Sequence, residues 1–150
     1  VPARLQGFEL EGRWALPVGM LPGAKVGFSA QLDGVRGINR ASGEALPRLA
    51  PLRASFAVDA QQGAWTGRVE LRLAARQTRV PLLDQPTAGY GLLKLSLARQ
   101  FRLGEADALW YLKLDNLGNK LAYSATSVAT IRDLSPQAGR SLHTGLQIRF

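Results

Sequence analysis

The residues able to do chemistry are few in kind. The 150-residue chain holds one histidine, His143, and no cysteine. A single His cannot build a multi-histidine metal site, and without thiols neither a disulfide framework nor a thiolate metal centre can form. Serines and aspartates are plentiful, but nothing near His143 resembles the strained elbow that presents a nucleophilic serine. A polar wall residue is the plainer reading of His143. The carboxylates are scattered, and no glycine run sits between a strand and a helix as a phosphate-cradling loop requires. No cofactor, metal site or enzymatic activity is therefore expected. What does recur is charge at a spacing of two. Arg68, Glu70, Arg72 and Arg76 fall on one side of an alternating run, and Lys94, Lys113 and Asp115 hold matching places in later runs. Charges so placed line one face of a sheet, where they pair with one another, solvate that face, or attract an anionic substrate.

Only strands can hold such a row, because a helix with its 3.6-residue period would scatter it. The alternation is clearest at the end of the chain, where Leu142, Thr144, Leu146, Ile148 and Phe150 oppose His143, Gly145, Gln147 and Arg149. It recurs upstream around Phe8–Leu16, Val26–Asp33, Leu52–Asp59, Trp65–Leu73, Leu93–Ala98 and Trp110–Asp115. That gives about seven strands and no defensible helix. The connections are of two kinds. Gln61-Gln62-Gly63-Ala64 and Gly104-Glu105-Ala106-Asp107 read as tight turns, and Pro17 to Gly23 as a slightly longer one. Gly37 to Ala50, Thr78 to Thr87 and Thr126 to Arg140 read as long loops.

Composition narrows the class. Hydrophobic residues make up 46% and charged residues 20%, with a mean hydropathy of -0.05. No apolar run approaches the roughly 18 residues of a transmembrane helix, but a transmembrane strand needs only about 9–11 residues, apolar at every second position. The net charge is +8 and the pI about 10.8, yet the basic residues are spread along the chain and aromatics are only 7%. Nucleic acid is not the expected partner, since it calls for clustered charge interleaved with stacking rings. Trp14, Trp65, Tyr90, Phe101 and Trp110 lie near predicted strand ends, as interfacial aromatics do. Short turns on one side and long loops on the other complete the layout of an outer-membrane barrel.

Particular residues carry a closer resemblance. Leu114-Asp115-Asn116-Leu117-Gly118-Asn119-Lys120, then Tyr123, Asp133-Leu134-Ser135-Pro136 and Gly139-Arg140 before the last strand, resemble the end of TonB-dependent outer-membrane receptors. In that family a D-N-L motif closes the penultimate strand; Gly118 and Asn119 depart from the aromatic and acidic residues usual after it. Leu46-Pro47-Arg48-Leu49-Ala50-Pro51 and Thr87-Ala88-Gly89-Tyr90 resemble loops leading into other strands of such barrels. Alternation ending on Phe150 is similar to the terminal signal read in barrel assembly, which assigns Leu142, Leu146, Ile148 and Phe150 to that role. The resemblance implies an all-β, antiparallel up-and-down transmembrane barrel of about 22 strands. Residues 1–150 would form its C-terminal part, with the plug domain and earlier strands absent, in keeping with a start at Val1 that reads as mid-chain. It implies uptake of a siderophore-type iron complex or another scarce metal complex at the bacterial outer membrane. The implied partners are membrane lipid and lipopolysaccharide, the remaining strands and plug, the TonB energy-coupling complex through the N-terminal region, and the barrel assembly machinery. Arg68, Glu70, Arg72, Arg76, Lys94, Lys113 and Asp115 would then face the lumen, towards plug or substrate, and Arg132, Asp133 and Arg140 would border a ligand-capturing loop. Two other readings fit the alternation: a small outer-membrane barrel with a structural or pore role, and a soluble β-barrel or sandwich that binds a ligand.

Overall fold

A computed structural model describes residues 2–17 and 22–150. The chain folds as one antiparallel sheet of seven strands in the order β1-β2-β3-β4-β5-β6-β7. The strands are β1 (Ala3–Ala15), β2 (Ala24–Asn39), β3 (Arg53–Gln62), β4 (Trp65–Ala74), β5 (Tyr90–Leu103), β6 (Ala106–Asp115) and β7 (Ser141–Arg149). Each pairs with its sequence neighbour, so the topology is purely up-and-down. β1 and β7 are not paired with each other, and the sheet is an open wall.

The tight connections are two-residue hairpins. Gly63 (φ 56°) and Gly104 (φ 62°) supply the positive φ at the first turn position, which is where a type II′ hairpin needs glycine. The turn between β1 and β2 includes residues 18–21, which lie outside the described residues.

Cross-strand register makes the alternation a property of the whole sheet. One transverse row reads Trp14, Phe28, Val58, Val69, Leu95, Leu114 and Leu142. The row one residue further along carries Arg13, Ser29, Ala57, Glu70, Lys94, Asp115 and Ser141 on the opposite face. The strands are also staggered. β5 runs on from Arg99, the partner of Trp65, to Leu103, while β2 runs on from Asp33, the partner of Arg53, to Asn39. Such slippage is what tilts strands in a barrel wall.

Among the described residues no second layer covers the apolar face. The buried apolar residues among those described are six alanines and Leu92. Large side chains stay open instead: Leu10 is 62% exposed, Trp14 54%, Val69 47% and Leu142 61%. A water-soluble sandwich or closed small barrel would bury these side chains against one another. Trp14 stacks on Phe28 at 5.6 Å between ring centres, and Trp65 meets Trp110 edge-on at 6.3 Å, both towards the short-turn end. Of the aromatics expected at strand ends, Trp14, Trp65, Phe101 and Trp110 lie on the apolar face towards that end, whereas Tyr90 opens β5 at the long-loop end on the polar face.

The long loops do pack. Gln137 donates from Nε2 to the Tyr90 hydroxyl (2.7 Å), Arg48 from Nε to the Thr126 carbonyl (3.1 Å), and Gln77 from Nε2 to the Leu49 carbonyl (3.0 Å). Tyr90, Arg53 and Ala74 belong to the polar face, and with Tyr123 and Ala125 they line one small cavity of about 50 Å³. The loops therefore fold over the polar face at their end of the sheet. Several boundaries differ from the sequence expectation. β2 continues through Asn39, because Gly37 and Ile38 still pair with β1 and with residues 45–46. The last loop, read as free of helix, contains a short 3₁₀ helix, Ala129–Leu134.

Candidate functional site

The candidate site is the charged face of the sheet and the loops folded over it. Hairpin geometry sets its centre. The turn at Gly63-Ala64 places Asp59 opposite Arg68, and Arg68 clasps both carboxylate oxygens, at 2.9 and 2.7 Å. Arg68 also reaches Glu70 at 3.2 Å, and Glu70 accepts in turn from Arg72. Residues at i and i+2 share a face, so one strand builds a run of alternating sign. Glu70 is opposite Lys94 in register, yet Lys94 pairs with Asp115 on β6 at 2.8 Å. His143 on β7 completes the row, 4.0 Å from Asp115. Lys113 is opposite His143 and exposed, its ammonium over the Tyr111 ring at 5.4 Å. Towards the loops, Arg53 binds Asp33 at 2.9 Å, and Gln31 donates to Glu9 at 2.8 Å.

The structure thus brings Arg68, Glu70, Arg72, Lys94, Lys113 and Asp115 onto one face, with Arg68, Glu70 and Arg72 in one linked cluster with Asp59, and Lys94 and Asp115 in a separate pair. Arg76 does not join them. β4 ends at Ala74: the Ala75 amide still keeps the β3 register with the Leu52 carbonyl (2.9 Å), but Gln77 then pairs with Thr87 instead of a strand of the sheet. The strand breaks before the alternation could carry Arg76 onto that face. Asp59, Asp33 and Arg53 also pair on that face, and the sequence reading passed over them. The first was accessible from hairpin arithmetic about Gly63-Ala64.

Among the loop candidates, Asp133 and Arg140 are exposed, and the Arg140 amide donates to the Asn119 side chain (3.0 Å). Arg132 lies under the loop rather than on its surface. It is 5% exposed, and it donates to both oxygens of Asp84 (2.8 and 3.0 Å) and to the carbonyls of Gln85 and Ser127. The guanidinium hydrogen bond holds the Asp84 carboxyl below its ordinary range, against the opposing effect of burial. Arg132 and Asp84 thus clamp two long loops together. A second clamp is Asn116, in the left-handed region at φ 47° and 3% exposed. Its amide donates to the carbonyls of Lys120 (2.9 Å) and Ala138 (3.0 Å), and its oxygen accepts from the Lys120 amide (2.8 Å). The D-N-L segment therefore works as a loop organiser at the end of β6.

At the chain end, Leu142, Leu146 and Ile148 share the apolar face of β7, and Phe150 lies just beyond the strand, fully exposed. Among the described residues no group of three or more His, Asp or Glu side chains comes together in a way that could hold a metal.

No protein-family model matches the sequence, and no curated protein matches it. Solved structures do match. The copper transporter OprC superposes on 96% of this chain with a TM-score of 0.76, at 24% sequence identity. The chain spans 23% of that protein's length. The likeness establishes the fold: the seven strands are an up-and-down stretch of barrel-type antiparallel wall.

Proposed function

We propose that the chain is a wall segment of a larger outer-membrane β-barrel that takes up a scarce metal complex, of the TonB-dependent receptor type, and that it performs no bond chemistry. The observation that carries this is the division of one sheet into two faces. One is predominantly apolar from β1 to β7, with arginines only towards its two ends, and its large side chains are exposed; the other bears ion pairs. Lipid is the medium that accommodates the first, and a wet or plugged lumen the second. Both open edges, β1 and β7, need strand partners in such a medium, since unpaired backbone groups in hydrocarbon cost several kcal/mol each. On this reading further strands complete the wall, residues 1–150 form its C-terminal part, and a plug meets the charged belt. Coupling to a TonB complex would run through that plug side, and assembly through Leu142, Leu146, Ile148 and Phe150 on β7.

The metal cargo rests on the likeness in fold to a copper transporter together with the receptor-like motifs after Leu114. Among the described residues, strands and loops alike, no three His, Asp or Glu side chains gather, so on this reading recognition of the cargo falls to the plug or to other segments of the barrel. Uptake of radiolabelled copper and of a ferric siderophore, in cells with and without the full-length protein, tests the reading. Loss of one uptake assigns the cargo, and unchanged uptake of both contradicts transport of either.

A further inference from the structure

The apolar face carries arginines at both ends: Arg99 lies over the Trp65 ring at the short-turn end, 5.1 Å from its centre, and Arg4 and Arg36 lie at the long-loop end of β1 and β2. Beyond Asp33, β3 no longer pairs with β2, and a groove of about 930 Å³ opens between β2 and the segments 43–52 and 75–79. Its apolar lining includes Phe8, Ile38 and Leu52, which are 51%, 41% and 49% exposed and continue the apolar face of the sheet. Its charged lining is Arg36, Arg76 and Arg79, with no carboxylate. All three arginines are exposed, and none makes an ion pair among the described residues. Of these three, Arg36 occupies an apolar-face position, in register with Gln6 and two residues from Gly34, whose Cα side is covered by Phe8 and Leu52. A guanidinium on a lipid-facing strand is costly unless it lies near the interface and finds an anion.

We propose that this groove binds the phosphate-bearing headgroup of an anionic membrane lipid, with the lipid's acyl chains running down the apolar face past Phe8. The inference rests on the membrane reading given above. Three guanidiniums suit phosphate, which they meet through paired N–H donors. The space is far larger than a free phosphate ion needs and matches a headgroup with the start of its chains. Position agrees: the groove lies where the apolar face meets the loops, at headgroup height in a barrel wall.

The test uses the full-length protein in zwitterionic micelles, with its β-structure verified by circular dichroism before any lipid is added. Failure at that step contradicts the membrane reading; failure at the next contradicts only this inference. Titration calorimetry then follows dioctanoyl phosphatidic acid, dioctanoyl phosphatidylcholine and inorganic phosphate. The phosphatidic acid is expected to bind most tightly, and the triple variant R36A/R76A/R79A to weaken it by at least about tenfold. A control variant, R13A/K25A/R102A, removes equal charge at the short-turn end and is expected to keep the affinity. Equal loss in both variants, or no loss in either, overturns the proposal. Inorganic phosphate binding as tightly as the lipid overturns it too, since the apolar wall would then contribute nothing.

Discussion

At the residue scale, two side chains hold the loops and neither announces it in the sequence. Asp84 and Arg132 are 48 residues apart in irregular segments, so no periodicity relates them. Their side chains are only 9% and 6% exposed, which makes this pair unlike the open ion pairs of the sheet. Removing one partner of a buried pair strands the other, at a cost of about 3 kcal/mol. The carboxyl of Asp84 is depressed below its ordinary 3.8, so the sign of the pH effect is fixed. The pair's stabilisation is fully present above that ordinary value and is lost as pH falls through the lower folded value. Limited proteolysis of the 116–140 loop should therefore find wild type protected at neutral pH and opening in acid below about pH 4. Asp84→Asn should be cut readily at both, the two proteins converging in acid. Equal protection of Asp84→Asn at neutral pH would show that the clamp does not hold the loop. The charged belt, by contrast, was largely legible: residues two apart in a strand share a face, and a two-residue turn fixes which residue meets which. Arg76 was misplaced because alternation says nothing about where a strand stops. Only the backbone pairing of Gln77 with Thr87 settles that.

At the element scale, seven strands and both tight turns follow from alternation and glycine placement alone. The extra length of β2 escaped notice because Val35-Arg36-Gly37-Ile38-Asn39 mixes charge and glycine into the alternation. The pairing of Leu46 with Gly37, a loop contact, carries that strand on. The short 3₁₀ helix at Ala129–Leu134 escaped for a similar reason: it has no side-chain N-cap, the usual mark of a helix start. The two faces of a strand make opposite demands on substitution. Val69 lies mid-strand on the apolar face and Ala98 on the polar face. In lipid, Val69→Arg should destabilise the fold by about 2–4 kcal/mol, whereas Ala98→Arg should change it by no more than about 0.5 kcal/mol. Urea titration in vesicles measures both. Comparable costs would mean that the two faces see the same medium.

At the scale of the whole molecule, what a single sheet lacks matters as much as what it has. It has regular pairing in every adjacent strand pair and packed loops at one end, but no interior of large side chains. Hydrophobic burial is the main drive to fold in water, and here it is replaced by an open apolar wall. Sequence alone could not separate this from a soluble sandwich, since both alternate with period two; the single up-and-down sheet and its likeness to a barrel-type wall favour the barrel. The pH-sensitive clamp, the lipid groove and the ion-pair belt acquire their proposed roles only if that wall faces hydrocarbon. The most direct measurement is refolding of the full-length protein in plain buffer beside lipid vesicles, followed by far-ultraviolet circular dichroism and heat-modifiable gel migration. The account predicts a β signal and a heat-sensitive band only where vesicles are present. A cooperative β fold in buffer without amphiphile would mean that the apolar faces pack on each other, and would contradict it.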